Sequence, residues 1–165
     1  KINIKGDVGM SLFRYSNYIN TIIDGNVGGS FADNSNSVTA KIDGNVGGNC
    51  GCASKRLVIK INGEVKKNCA YLSTNFMGII KGNIGSDFGN LSRYLIAAID
   101  GEVGYSSLLH ANNLQIVSNS PILYKYSRIN NPKYRDWIID ERPRDIKSHP
   151  LYKKIDRKFQ ARRKL

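Results

Sequence analysis

Three kinds of side chain in this sequence carry the chemistry of catalysis or metal binding. Cys50, Cys52 and Cys69 supply thiols, His110 and His149 supply imidazoles, and Asp24 and Asp43 supply carboxylates at a spacing that recurs along the chain. The Cys-x-Cys at 50–52 is half of a metal motif, and a structural zinc needs a second ligand pair. Three clustered cysteines are too few for a disulfide scaffold and point to a reducing or redox-indifferent compartment. A catalytic zinc held by three histidines exceeds the two that the chain holds. These residue types therefore predict no catalytic residue, no metal site and no cofactor. What they share is a place in a repeat.

Gly6, Gly25, Gly44, Gly63, Gly82 and Gly101 follow one another with a strict period of 19. Isoleucine stands two positions before each, from Ile4 to Ile99, and valine or isoleucine two positions after, from Val8 to Val103. Around Gly63 the alternation extends to Leu57, Ile59, Ile61 and Val65 on one face, with Val58, Lys60, Asn62 and Glu64 between them. A period of two is that of a strand with one buried face. Further columns recur once per unit, among them Leu12–Phe31–Cys50–Cys69–Phe88, Ile19–Val38–Leu57–Phe76–Leu95–Leu114 and Ser16–Ser35–Ser54–Ser73–Ser92. Helical repeats need about 33 residues or more, and propeller blades about 40. The pattern predicts an all-β solenoid over residues 1–118: a parallel β-helix of six 19-residue coils, each stacked about 4.8 Å above the last.

The Ile-x-Gly-x-Val-Gly unit resembles the short-coil β-helices of bactofilin-type polymer-forming proteins and of bacteriophage fibre, spike and baseplate proteins. The resemblance covers residues 1–118, about two thirds of the chain. It implies a structural or polymer-forming role. Enzymes built on β-helices fit less well. Hexapeptide-repeat enzymes run in sixes, and polysaccharide lyases need long inserted loops that a strict period excludes. Ice-binding solenoids carry threonine ladders, whereas the threonines here are Thr21, Thr39 and Thr74.

Placed in the repeat, Cys50 and Cys69 share an otherwise apolar column and read as buried thiols acting as small hydrophobes. His110 replaces Leu72 and Leu91 of its column and reads as a core or edge residue. The columns Lys5–Asp24–Asp43–Asn62–Lys81–Asp100 and Asp7–Asn26–Asn45–Glu64–Asn83–Glu102 read as a solvated strand face that deters unwanted sheet contacts. The sharper alternative is a cation shared by Asp24 and Asp43.

Past Ser118 the rules change. No glycine follows Gly104, and all four prolines (Pro121, Pro132, Pro143, Pro150) lie beyond this point. The net charge of +12 divides into +3 over residues 1–118 and +9 over 119–165. Ile122-Leu123-Tyr124 are expected to form a last strand or a plug over the terminal coil. Asn131-Pro132 reads as a helix start that carries Trp137 and Ile138, and Ser148 as the N-cap of a second helix. In that helix Leu151, Ile155 and Phe159 form an apolar stripe at i, i+4 and i+8. Seven cations within residues 153–164 cover the other faces.

Residues 119–165 are thus expected to be a capping segment and a basic amphipathic anchor. Trp137, Tyr152, Lys153, Lys154, Ile155, Arg157, Lys158, Phe159, Arg162 and Arg163 are its candidate partner-binding residues, and no base-reading motif accompanies them. Docking on other protein subunits of an assembly is the first reading, nucleic acid the second, an anionic membrane surface the third, and self-association stays open. A rigid, short rod with a sticky extension suits a structural part better than a catalyst. The function expected is a non-enzymatic component of a large assembly, foremost a virus or phage particle, otherwise cytoplasmic. A bactofilin-like cytoskeletal scaffold is the alternative.

Overall fold

The computed structural model describes residues 1–119, 138–141 and 145–164. Within the first of these spans the chain is the β-solenoid its period predicts. Seven parallel strands stack in sequence order: β1 (Ile2–Lys5), β2 (Asn20–Asp24), β3 (Thr39–Ile42), β4 (Val58–Ile61), β5 (Thr74–Ile80), β6 (Arg93–Ile99) and β7 (Asn112–Ser118). Their register advances by one repeat unit at every step, as in Ile4–Ile23, Ile42–Ile61 and Ile80–Ile99. Six turns therefore lead into a seventh strand. Two further lines of parallel bridges, Val8–Val27–Val46–Val65–Ile84–Val103 and Asn17–Asn36–Lys55–Thr74, tie the other sides of the coils together.

Between strands the backbone bends through left-handed residues at the same four positions of each turn, such as Ser30, Ala32, Asn34 and Ser37. Twenty-two of these residues are not glycine, and each costs on the order of 1 kcal/mol relative to right-handed backbone. Hydrogen bonds to the neighbouring turns offset that cost. The N–H groups of Tyr15, Asn34, Ala53, Leu72 and Leu91 donate to carbonyls one turn on, at 2.7–3.0 Å. Three members of the serine column close their corners from inside: the hydroxyls of Ser35, Ser54 and Ser92 donate to the carbonyls three residues back, at 2.6–2.7 Å.

The interior is a continuous apolar column in which Phe31, Cys50, Cys69 and Phe88 share one line and Val38, Leu57, Phe76 and Leu95 another. The repeat glycines are there because of space. A Cβ on Gly44 would come within 2.4 Å of the Gly25 carbonyl oxygen, and one on Gly101 within 2.5 Å of Gly82. Glycine stacks directly on glycine, and no other residue fits.

Beyond the solenoid, β8 (Ile138–Glu141) adds to β7 in parallel, pairing Ile116 with Ile139. Ile138, expected in a helix, therefore begins a strand: the open edge of β7 offers it hydrogen bonds that an isolated turn of helix lacks. Pro132, Trp137 and the Ile122–Tyr124 segment lie outside the described residues. The last element is α1 (Pro150–Lys164).

The stacking of glycines generates a paired test. Gly28→Ala would place its Cβ 2.7 Å from the Gly9 backbone, whereas Gly9→Ala meets nothing within 4 Å. Urea denaturation is expected to show a loss of about 1–3 kcal/mol for Gly28→Ala and no loss for Gly9→Ala. Equal losses would refute the steric account.

Candidate functional site

The C-terminal helix begins where its sequence says it should, with a different cap. Pro150 occupies the first helical position, where a missing N–H costs nothing. The Ser148 hydroxyl, expected to cap the helix, instead donates to the Asp145 carbonyl at 2.7 Å. His149 takes its place, its Nδ1 accepting the Leu151 N–H at 3.1 Å.

The apolar stripe is real, and it is covered by this chain itself. Leu151 and Ile155, with Ile146 and Tyr152, pack on Met77, Ile79, Ile96, Ala98 and Val117 of the outer sheet face. Phe159 is buried on the same side of the helix. Ile155 and Phe159 are therefore not open to a partner subunit, contrary to expectation. The reason lies in the strands: in β5–β7 the outward positions turn from polar to apolar, so the sheet needs cover on both faces.

The helix spans the stack. Its 15 residues, at about 1.5 Å rise each, cover about 22 Å, close to the roughly 24 Å from β7 to β2 at the strand spacing. Polar contacts mark the route. Lys154 Nζ donates to Gln115 Oε1 at 3.0 Å in β7, and Lys60 pairs with Asp156 at 3.0 Å in β4. Arg162 Nη1 donates to the Arg56 carbonyl at 2.9 Å. At the far end the Asn20 amide in β2 donates to the carbonyls of Arg162 and Arg163, at 3.2 and 3.4 Å.

Packing sorts the candidate residues. Lys153, Lys154, Arg157 and Lys158 are exposed, while Tyr152, Arg162 and Arg163 are half-buried. The Arg163 guanidinium lies 5.6 Å from the Phe159 ring centre. Burial lowers the pKa of Arg162, and the nearby Arg56 charge lowers it further. This end of the helix gathers like charges whose mutual repulsion an anion would relieve. Trp137 lies outside the described residues.

The other candidates resolve into structure. Cys50 and Cys69 are fully buried, and the contact with Cys50, then burial, pushes the Cys69 thiol up. Burial, with the Asp33 carboxylate beside it, pushes Cys52 up to about 11. All three are free thiols. His110 is exposed at a left-handed corner. Among the described residues no group of three or more histidine, cysteine or acidic side chains converges to hold a metal, and no helix is long and apolar enough to cross a membrane.

The polar columns beside the glycines have a role that spacing alone did not reveal. The Asp7 carboxylate accepts the Asn26 N–H at 2.7 Å, Asn26 Oδ1 accepts the Asn45 N–H at 2.9 Å, and Asn45 Oδ1 accepts the Glu64 N–H at 2.8 Å. The ladder resumes between Asn83 and Glu102. Each short side chain thus bonds the backbone one turn on, at the point where the chain bends around glycine. The bond from the Asn26 backbone also holds the Asp7 carboxyl below its usual range. In the companion column Asp43 engages Lys41 and Asn62.

No family model matches the chain, and neither a curated protein nor a solved structure matches it.

Two outcomes are expected. Phe159→Ala removes the ring that secures the last turns of α1 and should cost about 3 kcal/mol, freeing the helix backbone at Lys153 and Arg157 for tryptic cleavage while β-sheet circular dichroism persists. Unchanged tryptic resistance would contradict the docking. For Cys52, a thiol at about 11 against an ordinary 9.0 leaves roughly one thiolate in a thousand at pH 8. Its alkylation by iodoacetamide should rise about tenfold per pH unit up to pH 11. The stabilisation from the neutral thiol is complete below pH 9 and is lost as pH rises through about 11. A rate plateau near pH 9 would show the thiol to be unperturbed.

Proposed function

We propose that this chain is a non-enzymatic structural component of a large assembly, foremost a virus or phage particle. The β-solenoid is its rigid body, and the C-terminal segment is its attachment. The observation that carries this reading is the uniformity of the coil: six equal turns without an insertion, bonded to their neighbours along three lines of the perimeter. Such a stack has no hinge. It transmits load along about 29 Å of its axis, which is the mechanical task of a spacer or spike body.

The helix stripe is used within the chain, so attachment falls to the cationic face. Lys153 and Arg157 stand exposed there, and they suit an acidic surface on a partner subunit. Trp137 is a further candidate.

A polymer-forming scaffold is the second reading, and the uniform register favours it: every turn stacks on the next by the same parallel pairing, a pairing that a coil of another copy could continue.

Quantitative mass spectrometry of purified particles is expected to find the chain at a fixed ratio to the shell subunits, and recovery from infected cells alone would overturn the particle reading. Light scattering of the purified chain over a hundredfold concentration range should give one constant mass. Filament growth would transfer the assignment to the scaffold.

A further inference from the structure

Two open grooves flank the C-terminal half of α1 and meet at Arg162. The larger, about 770 Å³, has Tyr18, Ser37, Arg162 and Arg163 on its walls. The smaller, about 370 Å³, has a floor of Val58, Met77 and Ile96, a rim of Arg56, Lys158 and Arg162, and Tyr94 as a side wall. Among the described residues neither groove is lined by a carboxylate. The ion pairs formed among the described residues, Arg14–Asp33, Lys41–Asp43 and Lys60–Asp156, involve none of these cations. Arg163 Nε is buried without a hydrogen-bond partner.

The aromatic residues are placed by the repeat. Tyr18 and Tyr94 occupy the same position of their turns, four turns apart, with Arg56 between them. At the strand spacing their separation is about 19 Å. Both point out of the core, 79% and 54% exposed, and a tyrosine in so open a position exposes a ring face that water solvates poorly. Cations without an acidic partner among the described residues, set between two open rings, match a ligand that alternates negative charge with flat π surfaces. An acidic peptide would use the cations and leave the rings idle.

We propose that the seam between α1 and the sheet binds single-stranded nucleic acid. Phosphates lie against Arg56, Lys158, Arg162 and Arg163, and bases stack on Tyr18 and Tyr94. At a stacked rise of about 3.4 Å the track holds about six nucleotides. All of its residues come from one chain, so it is complete in the absence of any assembly. An anion there also relieves the repulsion between Arg56 and Arg162.

Fluorescence anisotropy of a 5′-labelled 12-mer of deoxythymidine, titrated with the full chain between 50 and 200 mM NaCl, tests the seam. Four phosphate contacts predict a log–log salt slope of about −3. Arg56→Gln/Arg162→Gln should flatten the slope by about 1.4, and Tyr94→Ala should weaken binding about tenfold. Tyr94→Phe keeps the stacking ring and should bind as the parent does. Lys154→Gln, on the same helix but bonded to Gln115 away from the seam, should change affinity less than twofold.

Arg162 also helps to dock the helix, so a thermal melt accompanies the double variant. If that variant unfolds, Lys158→Gln and Tyr18→Ala carry the measurement. Absence of binding at 50 mM NaCl, or affinity indifferent to Tyr94→Ala, would overturn the proposal. Equal competition by a 12-mer duplex would reject the single strand, and equal competition by polyglutamate would assign the seam to acidic protein instead.

Discussion

Everything in this molecule depends on glycine lying on glycine. Where Gly25, Gly44, Gly63, Gly82 and Gly101 stack, the backbones approach so closely that a single methyl group would collide with a carbonyl of the adjacent turn. That contact locks the length of the repeat, because one residue more or fewer would place a side chain there. With the register locked, like residues fall on like, and columns become useful. The Asp7–Asn26–Asn45 ladder works only because each side-chain oxygen sits beneath the same N–H of the next turn. Serine hydroxyls close the corners in the same way. The left-handed corners, unfavourable one by one, hold because neighbouring turns bond to them.

The solenoid was legible in the sequence because its constraint is periodic. Isoleucine, glycine and valine at fixed offsets reveal both the strand and the inward face, and Cys50 and Cys69 could be placed in the core from their column alone. Two features escaped for physical reasons. The asparagines beside glycine looked like ordinary surface, since their oxygens accept from backbone, and backbone leaves no mark in a residue pattern. The destination of α1 also escaped, although its signal was present. Met77-Gly78-Ile79-Ile80 and Ile96-Ala97-Ala98-Ile99 abandon alternation, and a strand apolar on both sides has something packed on both sides. Leu151, Ile155 and Phe159 supply it.

The candidate site was half legible. Composition located the cations in the C-terminal segment, and helical spacing told the apolar stripe from the charged faces. The seam itself was invisible, because it joins Tyr18, Arg56 and Tyr94 of the solenoid to Lys158 and Arg162 of a helix far along the sequence. Only docking creates it. Intramolecular packing thus takes away the apolar anchor expected for a partner and makes a cationic groove in its place.

The route of α1 also bears on how the chain reaches this state. Contacts between adjacent turns link residues one coil apart, a relative contact order of about 0.12, nearer to helical bundles than to β-sandwiches. Turns can nucleate at many points and propagate by nearest-neighbour addition, each closing a loop of the same length. The helix obeys a different rule. Asn20 meets Arg162 across 142 residues, a closure that gains nothing until β2 through β7 are in place. Among the described residues it is then the one element that ties β2 to β7, a clasp fastened last on a body that zips together turn by turn.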